Sequence, residues 1–103
     1  MLKKASDLEP LRQGADDAAA LLRNLAHPQR LLVLCMLIEH GEMTVGELLS
    51  EVDLGASALS QHLARLRRDG LVEFRRDAQF LHYRIADPRV KALVATLKTL
   101  FCP

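Results

Sequence analysis

The stretch Ala56-Ser-Ala-Leu-Ser-Gln-His-Leu-Ala-Arg-Leu-Arg-Arg-Asp-Gly70 decides how this chain is read. At about 100° per residue, Leu63 and Leu66 fall within about 40° of Leu59, so the three leucines form one helical stripe. Ser57, Gln61, Ala64, Arg65 and Arg68 point broadly the opposite way. A helix buried on its leucine side therefore presents hydroxyl, amide and guanidinium groups, the chemistry that contacts base edges and phosphates. An ordinary surface helix has the same stripe, so the neighbouring segments must decide between the two.

Upstream, Thr44-Val-Gly-Glu47 has the Ser/Thr-x-x-Glu form of a capping box and predicts a short helix over 45–52. Asp53-Leu54-Gly55 then breaks the chain for three residues, the connection length of a helix-turn-helix. Downstream, Leu71–Arg76 and Phe80–Ala86 alternate with period two around Asp77-Ala78-Gln79, which predicts a β-hairpin with basic residues near its tip. No Asn-Gly or Asp-Gly pair pins the register of that hairpin.

Further out, Leu31 to Ile38 are eight consecutive apolar residues. The run continues from Pro28, suited to a first helical position, and stops at His40-Gly41, so it reads as a central, almost fully buried helix. Ala18, Leu21, Leu22 and Leu25 recur at helical spacing before it, and this first helix is expected from about Ala15. Residues 1–14, with Pro10 and Gly14, read as a flexible arm. Asp87-Pro88 supplies an N-cap and a first-turn proline for a last helix with Val90, Leu93, Val94, Leu97 and Leu100 on one face. The order ααααββα is that of a winged helix-turn-helix, mainly α with a small β-hairpin.

With 103 residues, 26% of them charged, the chain is sized for one core. It has no apolar run near the roughly 18 residues that cross a bilayer, so no membrane partner is expected. Its first ten residues lack the apolar block of a secretory signal, which points to the cytoplasm. The net charge of +1 hides an uneven distribution. Residues 36–55 carry five acids and no Lys or Arg, whereas 56–91 carry eight basic residues against four acidic ones. A basic edge on the polar helix and hairpin suits phosphates, and equally a solvated edge with no partner. Catalysis is not expected, because no nucleophile, base and orienting residue stand in a motif.

His27-Pro-x-Arg30-Leu-x-Val-Leu, Thr44-Val-Gly-Glu-Leu and Ser57-Ala-Leu-Ser-Gln-His-Leu-x-x-Leu-Arg-x-Asp-Gly-Leu-Val72 together resemble the ArsR/SmtB family of bacterial transcriptional repressors. The resemblance covers roughly residues 15–102 and implies a dimer joined through the first and last helices, making 15–103 a DNA-binding and dimerisation domain. A twofold dimer implies double-stranded operator DNA with half-sites about one helical turn apart. By matching position, Ser57, Ser60, Gln61 and His62 would enter the major groove as base readers. Arg65, Arg68, Arg75 and Arg76 would hold phosphates and, at the wing, the minor groove. His62 lies about 60° from the leucine stripe, so a packed structural histidine is the competing reading. Ala56 stands where many relatives have a hydrogen-bonding side chain, so the operator is expected to differ accordingly.

Familiar metal sites of the family are not expected. Thr44-Val45-Gly46 stands where a Cys-x-Cys pair would be needed, and no histidine or acid occurs between Pro88 and Cys102. No cofactor is implied either. Cys35 and Cys102, with no Cys-x-x-Cys spacing, instead resemble the branch of the family that senses reactive sulfur species and oxidants. The ending Thr-Leu-Lys-Thr-Leu-Phe-Cys-Pro is like that branch. The resemblance implies a disulfide or polysulfide bridge between the two thiols that lowers operator affinity. Small buried hydrophobes are the alternative role for both cysteines. A thiol-insensitive regulator or anti-repressor with another ligand such as haem, and a protein-interaction winged helix without a DNA target, are the competing functions.

Overall fold

The computed structural model describes residues 5–102. The chain runs α1 (Ala5–Leu25), α2 (Pro28–His40), β1 (Met43–Thr44), α3 (Val45–Glu51), α4 (Ala56–Arg68), β2 (Val72–Asp77), β3 (Phe80–Ile85) and α5 (Pro88–Phe101). The winged helix-turn-helix expected from the sequence is present.

Local chemistry sets most of these boundaries. The Thr44 hydroxyl accepts from the Glu47 amide at 3.2 Å while the Glu47 carboxylate accepts from the Thr44 amide at 2.9 Å, so the capping box forms and starts α3. These bonds to the charged form hold the Glu47 carboxyl below its ordinary range. Pro28 opens α2, and His27 Nδ1 caps it by accepting from the Gln29 amide at 3.2 Å. Asp87 caps α5 through the Arg89 amide at 2.8 Å. Gly55 caps α4 without a side chain.

Three features differ from the sequence reading. Helix α1 starts at Ala5, not near Ala15. The stretch before Ala15 is otherwise rich in good helix formers, which offset the lost N–H bond and the crowding of the carbonyl four residues back that Pro10 costs in the second turn. Second, β1 pairs antiparallel with β3, Met43 opposite Tyr83 and Thr44 opposite His82, giving a three-stranded sheet in the order β1-β3-β2. Two residues are too few to show an alternating pattern. Third, α2 is buried on one side only. Val33, Leu34, Met36 and Leu37 are in the core, whereas Leu32 is 40% exposed and Cys35 is half-buried.

The hairpin closes with Asp77 opposite Phe80, leaving Ala78 and Gln79 as a two-residue loop. Ala78 takes φ 55, a left-handed conformation more often given to glycine or asparagine. One core gathers Leu25, Leu34, Leu37, Leu48, Val72, Tyr83, Val90 and Val94 around the stripe Leu59, Leu63 and Leu66, whose members are at most 1% exposed.

Both outer helices keep apolar surface in water. Among its described residues, α1 buries only Leu25, while Leu11 and Leu22 are exposed. At the end of α5, Leu100 is 69% and Phe101 78% exposed. The radius of gyration is 16.1 Å, against about 13 Å for a compact domain of this length.

Candidate nucleic-acid interface and thiol pair

Burial of the leucine stripe turns the opposite face of α4 outward, and Ser57, Ser60, Gln61, Arg65 and Arg68 are all exposed there. The hairpin adds Arg75 and Arg76, exposed on β2. Hydroxyls and an amide lie toward the start of α4 and guanidinium groups toward its end, so hydrogen-bonding and charge-bearing groups are separated along one face.

The arginines are not equivalent. Arg68 and Arg76 make no ion pair among the described residues. Arg65 bonds Asp69 one turn later at 2.9 Å. Arg75 grips Glu42 with both Nε and Nη2, at 2.8 to 3.1 Å, and this fork holds the Glu42 carboxyl below its ordinary range. Arg67, absent from the expected set, lies with its guanidinium carbon 4.4 Å from the centre of the Phe74 ring, and Phe74 in turn tilts against Tyr83 at 5.3 Å. The wing is thereby attached to the end of α4.

His62 is placed differently from its neighbours. It is half-buried, its Nδ1 accepts from Arg30 Nε at 3.0 Å, and its ring lies 4.4 Å from that of His27. Arg30 also donates through Nη1 to the Asn24 backbone oxygen at 3.0 Å and to Asn24 Oδ1 at 2.7 Å. Asn24 Nδ2 donates to Asp69 at 2.6 Å. One chain of hydrogen bonds therefore runs from the end of α1 through α2 to both ends of the second half of α4. A groove of about 760 Å³, lined in part by Asn24, Arg30, Arg65 and Asp69, runs along it. Sequence reasoning missed Asn24 and Asp69 because partners so far apart in the chain leave no spacing signal. The only hint was Arg30 within the His-Pro-x-Arg motif.

Cys35 on α2 and Cys102 just after α5 are both free thiols, the first half-buried and the second exposed. Burial pushes the Cys35 thiol above its ordinary value, the neighbouring Cys102 raises it further, and the Lys98 ammonium pulls it down. The two sulfurs are thus in one electrostatic neighbourhood, with Cys102 the more accessible. Among the described residues no three His, Cys, Asp or Glu side chains gather as a metal site, and no helix is long and apolar enough to cross a membrane.

A recognition-type helix behind a tight turn, followed by a basic wing, defines a winged helix-turn-helix transcriptional regulator. The model of the bacterial regulatory proteins of the arsR family matches residues 27–73, and the chain belongs to that family. It is 48% identical over 98 residues to the transcriptional regulator YgaV of Escherichia coli, covering 95% of this chain and 99% of YgaV. Reduced HlyU from Vibrio cholerae superposes with a TM-score of 0.87 at 45% identity, covering 93% of this chain and 100% of that one. The transcriptional repressor BigR from Xylella fastidiosa superposes with a TM-score of 0.83 at 41% identity, covering 92% and 96%. Regulators of this family bind DNA.

Proposed function

We propose that this protein is a cytoplasmic, homodimeric repressor that reads a pseudo-palindromic operator with α4 and releases it when Cys35 and Cys102 become bridged. Ser57, Ser60 and Gln61 read bases; Arg68 and Arg76 anchor phosphates directly, whereas Arg65 and Arg75 reach phosphates by exchanging Asp69 and Glu42 for them. The observation that carries the reading is the exposed polar face of α4 above a fully buried leucine stripe.

Dimerisation through α1 and α5 is supported by the apolar residues these helices leave in water, Leu11, Leu22, Leu100 and Phe101. Residues 15–103 form the DNA-binding and dimerisation domain, with residues 5–14 extending α1. The relatives carry both names, HlyU being called an activator and BigR a repressor.

The thiol step follows from accessibility. Exposed Cys102 attacks the outer sulfur of a persulfide, forming Cys102–S–SH and releasing the donor as a thiol. The Cys35 sulfur then attacks the inner sulfur, forming the Cys35–Cys102 disulfide and releasing hydrogen sulfide with the Cys35 proton. If Cys35 has itself acquired a sulfur, the same condensation leaves a trisulfide. Either link joins α2 to the end of α5 and alters the helix expected to meet the partner subunit.

The test is operator selection from random duplexes by reduced protein, with intact mass after persulfide treatment. The reading requires a twofold site bound by two chains, and a treated chain about 2 Da lighter, or about 30 Da heavier with one retained sulfur. Selection of no sequence contradicts the base-reading role of α4. An unchanged mass contradicts the thiol switch.

A further inference from the structure

The Arg30–His62 contact behind α4 touches neither base nor phosphate in the proposed reading, yet it ends on the helix proposed to make those contacts. His62 sits one residue after Gln61 and three before Arg65, so whatever holds its ring holds the setting of the exposed face. The ring is held by Arg30. A guanidinium has donors only, so the 3.0 Å contact from Arg30 Nε requires a lone pair on His62 Nδ1. That lone pair exists only while the imidazole is neutral and carries its hydrogen on Nε2.

We propose that Arg30 and His62 form a proton-operated latch that sets the recognition helix, closed while His62 is neutral and open once it is protonated, so that acidification weakens operator binding. Arg30 and His62 are positioning residues in this account, not contacts to DNA. The inference rests on the reading of α4 as the DNA-reading helix.

The surroundings give the latch its direction. On α2 the ring faces the Arg30 guanidinium; on the α1–α2 turn it faces His27, whose own Nδ1 is engaged by the Gln29 amide. No carboxylate touches the ring among the described residues. The nearest along the chain of bonds is Asp69, reached through Asn24, and it already accepts from Arg65 on α4 itself. A second positive charge placed on His62 would therefore lose its acceptor role, face Arg30 across the same 3.0 Å, and find no nearby anion. Partial burial, His27 and Arg30 accordingly all push the proton affinity of His62 down from its ordinary value near 6.5. The neutral form predominates at pH 7.5, and the latch opens as pH falls through the lowered value.

The competing role of His62 gives the opposite sign. A histidine that reached a phosphate or a base acceptor would bind more tightly when protonated. Operator affinity of the full chain, kept reduced, is measured by fluorescence anisotropy from pH 7.5 to pH 5.5 for the wild type and for His62→Asn, whose Oδ1 stands two bonds from Cβ as Nδ1 does, accepts as Nδ1 does and does not titrate. The wild type is expected to lose about 5-fold or more in affinity over this range. His62→Asn is expected to match the wild type at pH 7.5 within about 2-fold and to lose clearly less on acidification. The difference between the two profiles, not the slope of either alone, reads the ring at position 62 with its contacts to Arg30 and His27.

An equal loss in His62→Asn, or a wild type that gains affinity relative to His62→Asn on acidification, overturns the latch. Where circular dichroism shows His62→Asn unfolded, Arg30→Gln carries the test. Weaker binding at pH 7.5 with a flattened pH profile supports the latch, and an unflattened profile overturns it. Absence of operator binding at pH 7.5 in the wild type is a failure of the DNA reading instead.

Discussion

Replacing Arg68 with alanine tests the division of arginines into free and engaged anchors. Each phosphate neutralised on duplex DNA contributes a slope of about 0.9 to the fall of log affinity with log salt. In the proposed dimer two α4 helices would bring two copies of Arg68 to the operator, so Arg68→Ala is expected to reduce the slope by about 1.8. Over a fourfold rise in salt, from about 50 to about 200 mM, that difference amounts to roughly 12-fold in affinity, so the deficit of the variant shrinks by this factor at the higher salt. Arg75 behaves differently because its fork is already on Glu42. Moving it to a phosphate leaves that carboxylate facing the DNA, so Arg75→Ala should flatten the slope less than Arg68→Ala. Glu42→Gln, which frees Arg75, should steepen it. Fluorescence anisotropy titrations of one labelled operator and one random duplex at several salt concentrations provide the slopes. An unchanged slope in Arg68→Ala together with a flattened one in Arg75→Ala would refute the reasoning.

Three further outcomes concern stability and are read by urea denaturation at fixed protein concentration. Leu63→Ala removes a side chain only 1% exposed from beneath the reading face and is expected to cost about 3 to 5 kcal/mol. A cost below about 1 kcal/mol would mean that the stripe is not the seat of α4. Thr44→Ala removes the hydroxyl arm of the capping box, leaving the Thr44 backbone N–H on Glu47, and should cost about 1 kcal/mol, with no change meaning that α3 is set by packing alone. Ala78→Gly relieves the left-handed strain at the hairpin loop and should stabilise by about 0.5 kcal/mol, with destabilisation showing that the loop is not strained.

The fold was legible wherever a signal is local. The leucine stripe, the capping box, Pro28 and Asp87-Pro88 each act within about four residues, and each element they announce is present. Residues 5–14 were misjudged because Pro10 and Gly14 are strong breakers in isolation, yet α1 absorbs them. The exposed face of α4 was legible because period alone decides which side of a helix is buried. What escaped the sequence is pairing at long range. Arg75 met Glu42, 33 residues away, and His62 met Arg30, 32 residues away. Neither partnership has a spacing rule, and both change what the side chain is free to do. The spacing of Cys35 and Cys102 belongs to the same class, since it depends on how α2 and α5 pack.

The account stands most directly on one ratio, the operator affinity of the reduced protein divided by that of the persulfide-treated protein, in the wild type and in Cys35→Ser. The wild type should give a ratio of about 5 to 150, corresponding to a coupling of about 1 to 3 kcal/mol, and Cys35→Ser a ratio near unity because Cys102 then has no partner to close the bridge. A Cys35→Ser protein that responds as strongly as the wild type would contradict the dithiol switch.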